Sequence, residues 1–145
     1  MAAVTAATTS TTSVEKPAPV AAVVEKIPVF LQTDAQDAMG AAYVARLRDA
    51  LNGSGLYQSV PHAASARFVV GILTMDPNEA APGSSAGHST VAAITLQRGN
   101  PMGLNAFVYS WVLVARADNV DALATELLAA IGKEIQDFEG VSLQP

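Results

Sequence analysis

Cysteine is absent from this chain of 145 residues. Disulfides, thiolate metal sites and a cysteine nucleophile are thereby excluded, while the redox compartment stays undecided. Charge is scarce as well, at 14% of residues, with a formal net charge of −5 and a pI near 4.8. A non-specific nucleic-acid binder needs a basic face, and the eight Lys and Arg residues are too thinly spread to make one. They also form no polybasic run for anionic lipid. Aromatic residues are 6% of the chain. No apolar stretch approaches the length that spans a bilayer. Met1–Ser13 lacks the basic n-region and apolar core of a signal peptide, although a processed chain would look the same.

The catalytic constellations are missing too. Two histidines, His62 and His88, fall in loops with no carboxylate at ligand spacing, so no metal site is expected. Gly53-Ser54-Gly55 follows a helix rather than opening one, which makes it a cap and turn and not a phosphate loop. Ser84, Ser85, Ser89 and Thr90 surround His88, but no third group is placed to orient a base. Asp34 and Asp37 look like a carboxylate pair, yet capping of the helix that follows accounts for both. No enzyme and no cofactor are expected.

What remains is hydrophobic. Half of the residues are apolar, mostly Ala and Val, enough for one domain with a real core and too few residues for two. Met1–Glu25, rich in Ala, Thr and Pro, reads as a flexible tether, with a short strand at Val20–Val24 as the alternative. The domain is expected over 26–140, with a tail at 141–145. Arg67–Asp76 is a nearly unbroken apolar run bounded by breakers, and so a central strand buried on both faces. Gly71 in its middle predicts a close approach there, by a helix crossing the sheet. Ahead of it, Ile27–Leu31 is a strand, and Met39, Tyr43, Leu47 and Leu51 recur every fourth residue on a helix closed at Gly53. Leu56–Val60 is short and suits brief pairing at an edge.

Asp76–His88 is a long loop, Ser89–Arg98 a weakly alternating strand, and 99–103 a turn. Asn105–Arg116 is the longest strand. Phe107, Tyr109, Trp111 and Leu113 share one side of it; Val108, Ser110, Val112 and Val114 share the other. Asp118 or Asn119 then caps a last helix whose apolar set runs from Val120 through Leu127 and Ile131 to Ile135. The expected fold is α+β: one domain with a four-stranded mixed sheet, two helices packed on one face, and element order β-α-β-β-β-α. The first strand–helix–strand unit makes its two strands parallel.

The turn Gly53-Ser54-Gly55 with Leu56-Tyr57-Gln58-Ser59-Val60, and then Ala64-Ser65-Ala66-Arg67-Phe68-Val69-Val70-Gly71, resembles the amino-terminal domain of TolB and related envelope lipoproteins. In that family a helix ends in a small-residue turn, and an Ala-Asp-aromatic-Val-Val-x-Gly strand follows. The resemblance spans roughly 26–138, departs from the pattern at Arg67 where Asp is favoured, and lacks the lipid-bearing cysteine. It implies a non-enzymatic, periplasmic or outer-membrane-associated domain that binds other envelope proteins. A small ferredoxin-like ligand-binding domain or enzyme, with its pocket under the Asp76–His88 loop, is one alternative. A self-associating structural subunit is the other. For any partner, the expected contact is the sheet face opposite the helices, carried by Phe107, Tyr109, Trp111 and Leu113, with Val108, Val112 and Val114 against the helices.

Overall fold

The computed structural model describes residues 25–79, 86–100 and 102–142. The proposed tether, apart from Glu25, lies outside them, as do Val20–Val24 and the last three residues. The described chain is a single α+β domain in which two helices cover one face of a five-stranded mixed sheet. The elements are β1 (Ile27–Ala35), α1 (Ala38–Gly53), β2 (Tyr57–Ser59), β3 (Phe68–Met75), β4 (Ser89–Arg98), β5 (Ala106–Arg116) and α2 (Val120–Ser142), with a single 3-10 turn at Ala63–Ser65. Their spatial order is β2-β1-β3-β4-β5. β1 runs parallel to both β2 and β3, whereas β4 and β5 follow as antiparallel neighbours. The fifth strand is the short Tyr57–Ser59 segment, which pairs at the edge through Ile27↔Tyr57 and Val29↔Ser59. No strand follows α2 among the described residues, so the ferredoxin-like order is not completed there.

Pro28 sits inside β1, a strand with neighbours on both sides. The Ile27 amide and the Val29 carbonyl bond toward the β2 side, so the Pro28 nitrogen faces β3. The β3 ladder starts only at the Val29↔Phe68 pair, and the Pro28 carbonyl accepts from the Arg67 amide just before it. The missing N–H therefore falls beyond the end of the ladder, where it costs no bond.

α1 begins later than the sequence suggests. β1 continues through Thr33 and Asp34 to Ala35, and the cap is Asp37, whose carboxylate accepts from the Gly40 amide at 3.0 Å. Gly53 is the last helical residue and is not left-handed; the only positive-φ residues in the described chain are Gly87 and Gly103. Instead the Ser54 amide closes the helix on the Leu51 carbonyl, and the Ser54 hydroxyl accepts from the Leu56 amide. At α2, Asn119 is the residue that turns the chain: its carbonyl accepts from Leu123, and its side chain folds back to the Arg116 amide at 2.6 Å.

The core fills the space between helices and sheet. Tyr43, Leu47 and Leu51 of α1 and Leu127, Ile131 and Ile135 of α2 pack on Val29, Phe68, Val70, Ile72, Ile94 and Leu96. These are the residues the helical and strand periodicities single out. Each fully buried apolar side chain of this size stabilises the fold by about 1.5–3 kcal/mol. At one end, Arg67 pairs with Glu139 and the Phe68 ring meets Phe138 edge-on at 6.3 Å, tying β3 to the last turns of α2.

Two expectations fail on β3. It is central, but its second face is covered only in part: Val69 is buried there, whereas Leu73 and Met75 point away from the helices and are exposed. Gly71 also belongs to that uncovered face, so no helix crosses it. A Cβ added there would meet only the Thr95 hydroxyl on the neighbouring strand, at 2.7 Å. The two-helix layer simply does not reach the second side of the sheet.

Candidate interaction surface

β5 places the partner residues nominated from the sequence, and it splits them. The β4–β5 register runs without break from Ser89↔Arg116 to Leu96↔Tyr109, then slips so that Gln97 pairs with Phe107. Val108 is the extra residue of a β-bulge, which reverses the phase of the strand at that point. Tyr109, Trp111, Leu113 and Ala115 are opposite Leu96, Ile94, Ala92 and Thr90, all buried on the helix side. Trp111, Leu113 and Val108 pack against the core, and the Tyr109 and Trp111 rings touch at 4.9 Å between centroids. Phe107 alone of the four lies on the open face, opposite Gln97.

From Tyr109 onward the faces of β5 are therefore the reverse of the expected ones, while Phe107 and Val108 lie where expected. Val112 and Val114 do not meet the helices; they project from the open face, opposite Ala93 and Val91. The physical reason is that both rows are apolar, so alternation alone cannot choose between them. α2 takes the side with the larger rings and Ala115, where its own Leu123 and Leu127 fit.

The open face is consequently apolar across three strands. Phe107 is 65% exposed, Val112 74%, Val114 46%, Leu73 40% and Met75 48%. Two of its rows can be followed from strand to strand: Phe30, Val69, Gln97 and Phe107, then Asp34, Leu73, Ala93 and Val112. Between them the missing side chain of Gly71 leaves a shallow depression of about 480 Å3, walled by Gln32, Asp34, Leu73 and Thr95. Side-chain area of this kind on one side of a small sheet exceeds scattered surface apolarity, which needs no explanation. Sequence reasoning missed Leu73, Met75, Val112 and Val114, and the only signal for them was the count of helices against sheet faces.

Chemistry is sparse elsewhere. His62 and His88 are both exposed. Among the described residues no group of three or more His, Cys, Asp or Glu side chains is placed to hold a metal ion. No helix among them is long and apolar enough to cross a membrane. Asp37 is the most connected carboxylate. Its second oxygen accepts from Thr74 at 2.9 Å and from Thr90 at 3.0 Å, two fully buried hydroxyls. Those bonds clamp β3 and β4 to the start of α1. Burial pushes the Tyr43 phenol well above its ordinary value, and the Tyr57 phenol up as well. Tyr57 lies under Gly132 at the base of a groove of about 440 Å3 between the start of β2 and α2.

No family matches the sequence, and no curated protein matches it. The structure is similar to that of the hypothetical protein CT253 from Chlamydia trachomatis, with 13% identity and a TM-score of 0.41 over 79% of this chain and 97% of that one. It is similar to PelC from Paraburkholderia phytofirmans, a dodecamer, with 13% identity and a TM-score of 0.45 over 77% and 86%. It is also similar to lipoprotein GNA1162 from Neisseria meningitidis, with 12% identity and a TM-score of 0.38 over 77% and 99%. The TolB resemblance rests on the residues quoted for it above.

Proposed function

We propose that this chain is a non-enzymatic protein-interaction domain of the bacterial cell envelope, and that it works through the open face of its sheet. The observation that carries the reading is the row of Leu73, Met75, Phe107, Val112 and Val114 on the side that neither helix covers. Placing it in the envelope rests on the TolB-like motifs alone. A periplasmic or outer-membrane-associated location belongs to that reading.

A partner suited to this surface presents apolar side chains framed by polar ones, because the face itself is rimmed by Gln32, Asp34, Thr95 and Gln97. Of the residues nominated from sequence, Phe107 is placed to touch such a partner. Tyr109, at 44% exposure, reaches the surface at the helix-side margin of β5, and Trp111 and Leu113 act chiefly by supporting that strand.

The test is Leu73→Lys and Met75→Lys, each measured for thermal melting and for retention of proteins from an envelope extract. Both side chains are exposed, so the melt should hold while specific retention disappears. Retention unchanged in both variants would remove the open face from the function.

A further inference from the structure

The two edges of the sheet are not alike. β2 is three residues long and is followed by Pro61, so it offers little template for another strand. β5 is an eleven-residue edge strand, and among the described residues no strand pairs beyond it. It contains neither Lys nor Pro, and its only charge is Arg116 at the end. Natural edges are usually protected by one of those devices. The bulge at Val108 interrupts the edge near its start but leaves Tyr109–Arg116 regular.

We infer that a second copy of this chain pairs antiparallel along β5, joining two five-stranded sheets into one. This concerns the edge of the strand and goes beyond the open-face reading. A two-fold axis through Val112 keeps both helix layers on the same side and sets like faces opposite like. Trp111 then meets Leu113 of the second copy, Ser110 meets Val114, and Val112 meets itself. Cross-strand pairs of aromatic and branched residues are the units that stabilise a sheet. The axis also keeps Arg116 away from its own copy, which matters because an isologous contact brings any central charge against itself.

The helix layer is shaped for this. Beside the edge, Trp111 and Leu113 form with Leu123, Leu127 and Ala130 of α2 a slot of about 230 Å3 that one strand alone leaves unfilled. The paired strand would send its own Trp111 and Leu113 side chains toward it. Pairing supplies hydrogen-bond partners for the outer edge of Tyr109–Arg116 and brings the flanks of Trp111 and Leu113, both partly exposed, against the second copy, while Phe107, Val112 and Val114 keep their outward sides on the open face.

The experiment uses the full chain, which has no cysteine. Sedimentation should give a dimer, and Val112→Lys should give a monomer with an unchanged melt, since two ammonium groups would meet at the axis. Val112→Cys should form a disulfide dimer on mild oxidation, while Leu56→Cys, exposed near the opposite edge, should not. A wild-type chain that stays monomeric at its highest soluble concentration overturns the inference. So does a dimer lost in Leu73→Lys, with or without loss in Val112→Lys, because Leu73 lies on the open face two strands in from the edge. A dimer that appears only after deletion of residues 1–24 overturns it too, because the chain's own leader would then occupy the edge.

Discussion

Gly40→Ala should destabilise this protein, against the ordinary rule for a helix. Gly40 lies in the first turn of α1, three residues past the Asp37 cap. Replacing glycine by alanine inside a helix ordinarily gains about 0.8–1 kcal/mol. Here an added Cβ would fall 1.9 Å from the Thr74 hydroxyl oxygen, 2.5 Å from the Thr74 Cβ and 2.5 Å from an Asp37 carboxylate oxygen. The Thr74 Cβ is anchored to a central strand, so rotation of the hydroxyl cannot clear the clash. Thr74 and Asp37 must separate, which breaks a bond to a charged acceptor worth about 1.5–3 kcal/mol. Overpacking adds about 1–3 kcal/mol. With the helix gain subtracted, the net loss is about 1.5–5 kcal/mol. Urea denaturation of the single variant and of Gly40→Ala/Thr74→Ala measures it. The double variant removes the nearest obstruction, the hydroxyl oxygen, and keeps the Cβ contact, so the two changes should couple favourably by about 1 kcal/mol without restoring the parent's stability. A Gly40→Ala chain as stable as the parent, or more so, would refute the packing of α1 on β3 described above.

Tyr43→Phe should leave stability unchanged or raise it by about 1 kcal/mol, because the buried hydroxyl has no hydrogen-bond partner among the described residues and its desolvation is uncompensated; a loss above that size in urea would mean the hydroxyl is bonded. The same residue sets an alkaline limit: its folded pKa is raised above the ordinary 10.0, so the unfolded chain releases its proton first and stability falls as pH rises through and beyond that value. Tyr43→Phe should flatten that fall, and an unchanged slope of stability against pH would reject the assignment. Gly71→Ala should shift the denaturation midpoint by no more than the equivalent of about 0.5 kcal/mol, since relief of glycine's entropy offsets a small rotation of Thr95; a loss of several times that would restore the idea of a packed neighbour over Gly71.

The parts legible in the sequence are those where one periodicity had no competitor. Tyr43, Leu47 and Leu51 fix the inward face of α1, and Leu127, Ile131 and Ile135 that of α2, because their opposite faces are polar. The bounds of Ser89–Arg98 are legible because breakers flank it and Ala92, Ile94 and Leu96 form its one buried apolar row. Leu56–Val60 reads as a brief edge segment rather than as a strand of its own. At three residues β2 forms only because β1 is already fixed beside it. The sequence offers Asp34 and Asp37 alike as caps; pairing of Asp34 with Leu73 takes the first into β1 and leaves Asp37 to cap α1.

β5 resisted for a different reason. Its alternation is apolar on both sides, and a single unpaired residue at Val108 reverses the phase partway along. Nothing in Phe107-Val108-Tyr109 marks the bulge, because it is set by register against β4 and not by a glycine or proline within the strand. A row that reads as four aligned residues is therefore three on the helix side, of which Trp111 and Leu113 pack against the core, and one, Phe107, standing on the other side of the sheet. The error and the proposed function share this cause. A strand apolar on both faces, placed at the edge of a sheet whose helices cover one side, must leave apolar area in contact with water. Val112 and Val114 carry that area on the open face, and pairing of the edge with a second strand shields their flanks and satisfies the free backbone groups without altering the fold.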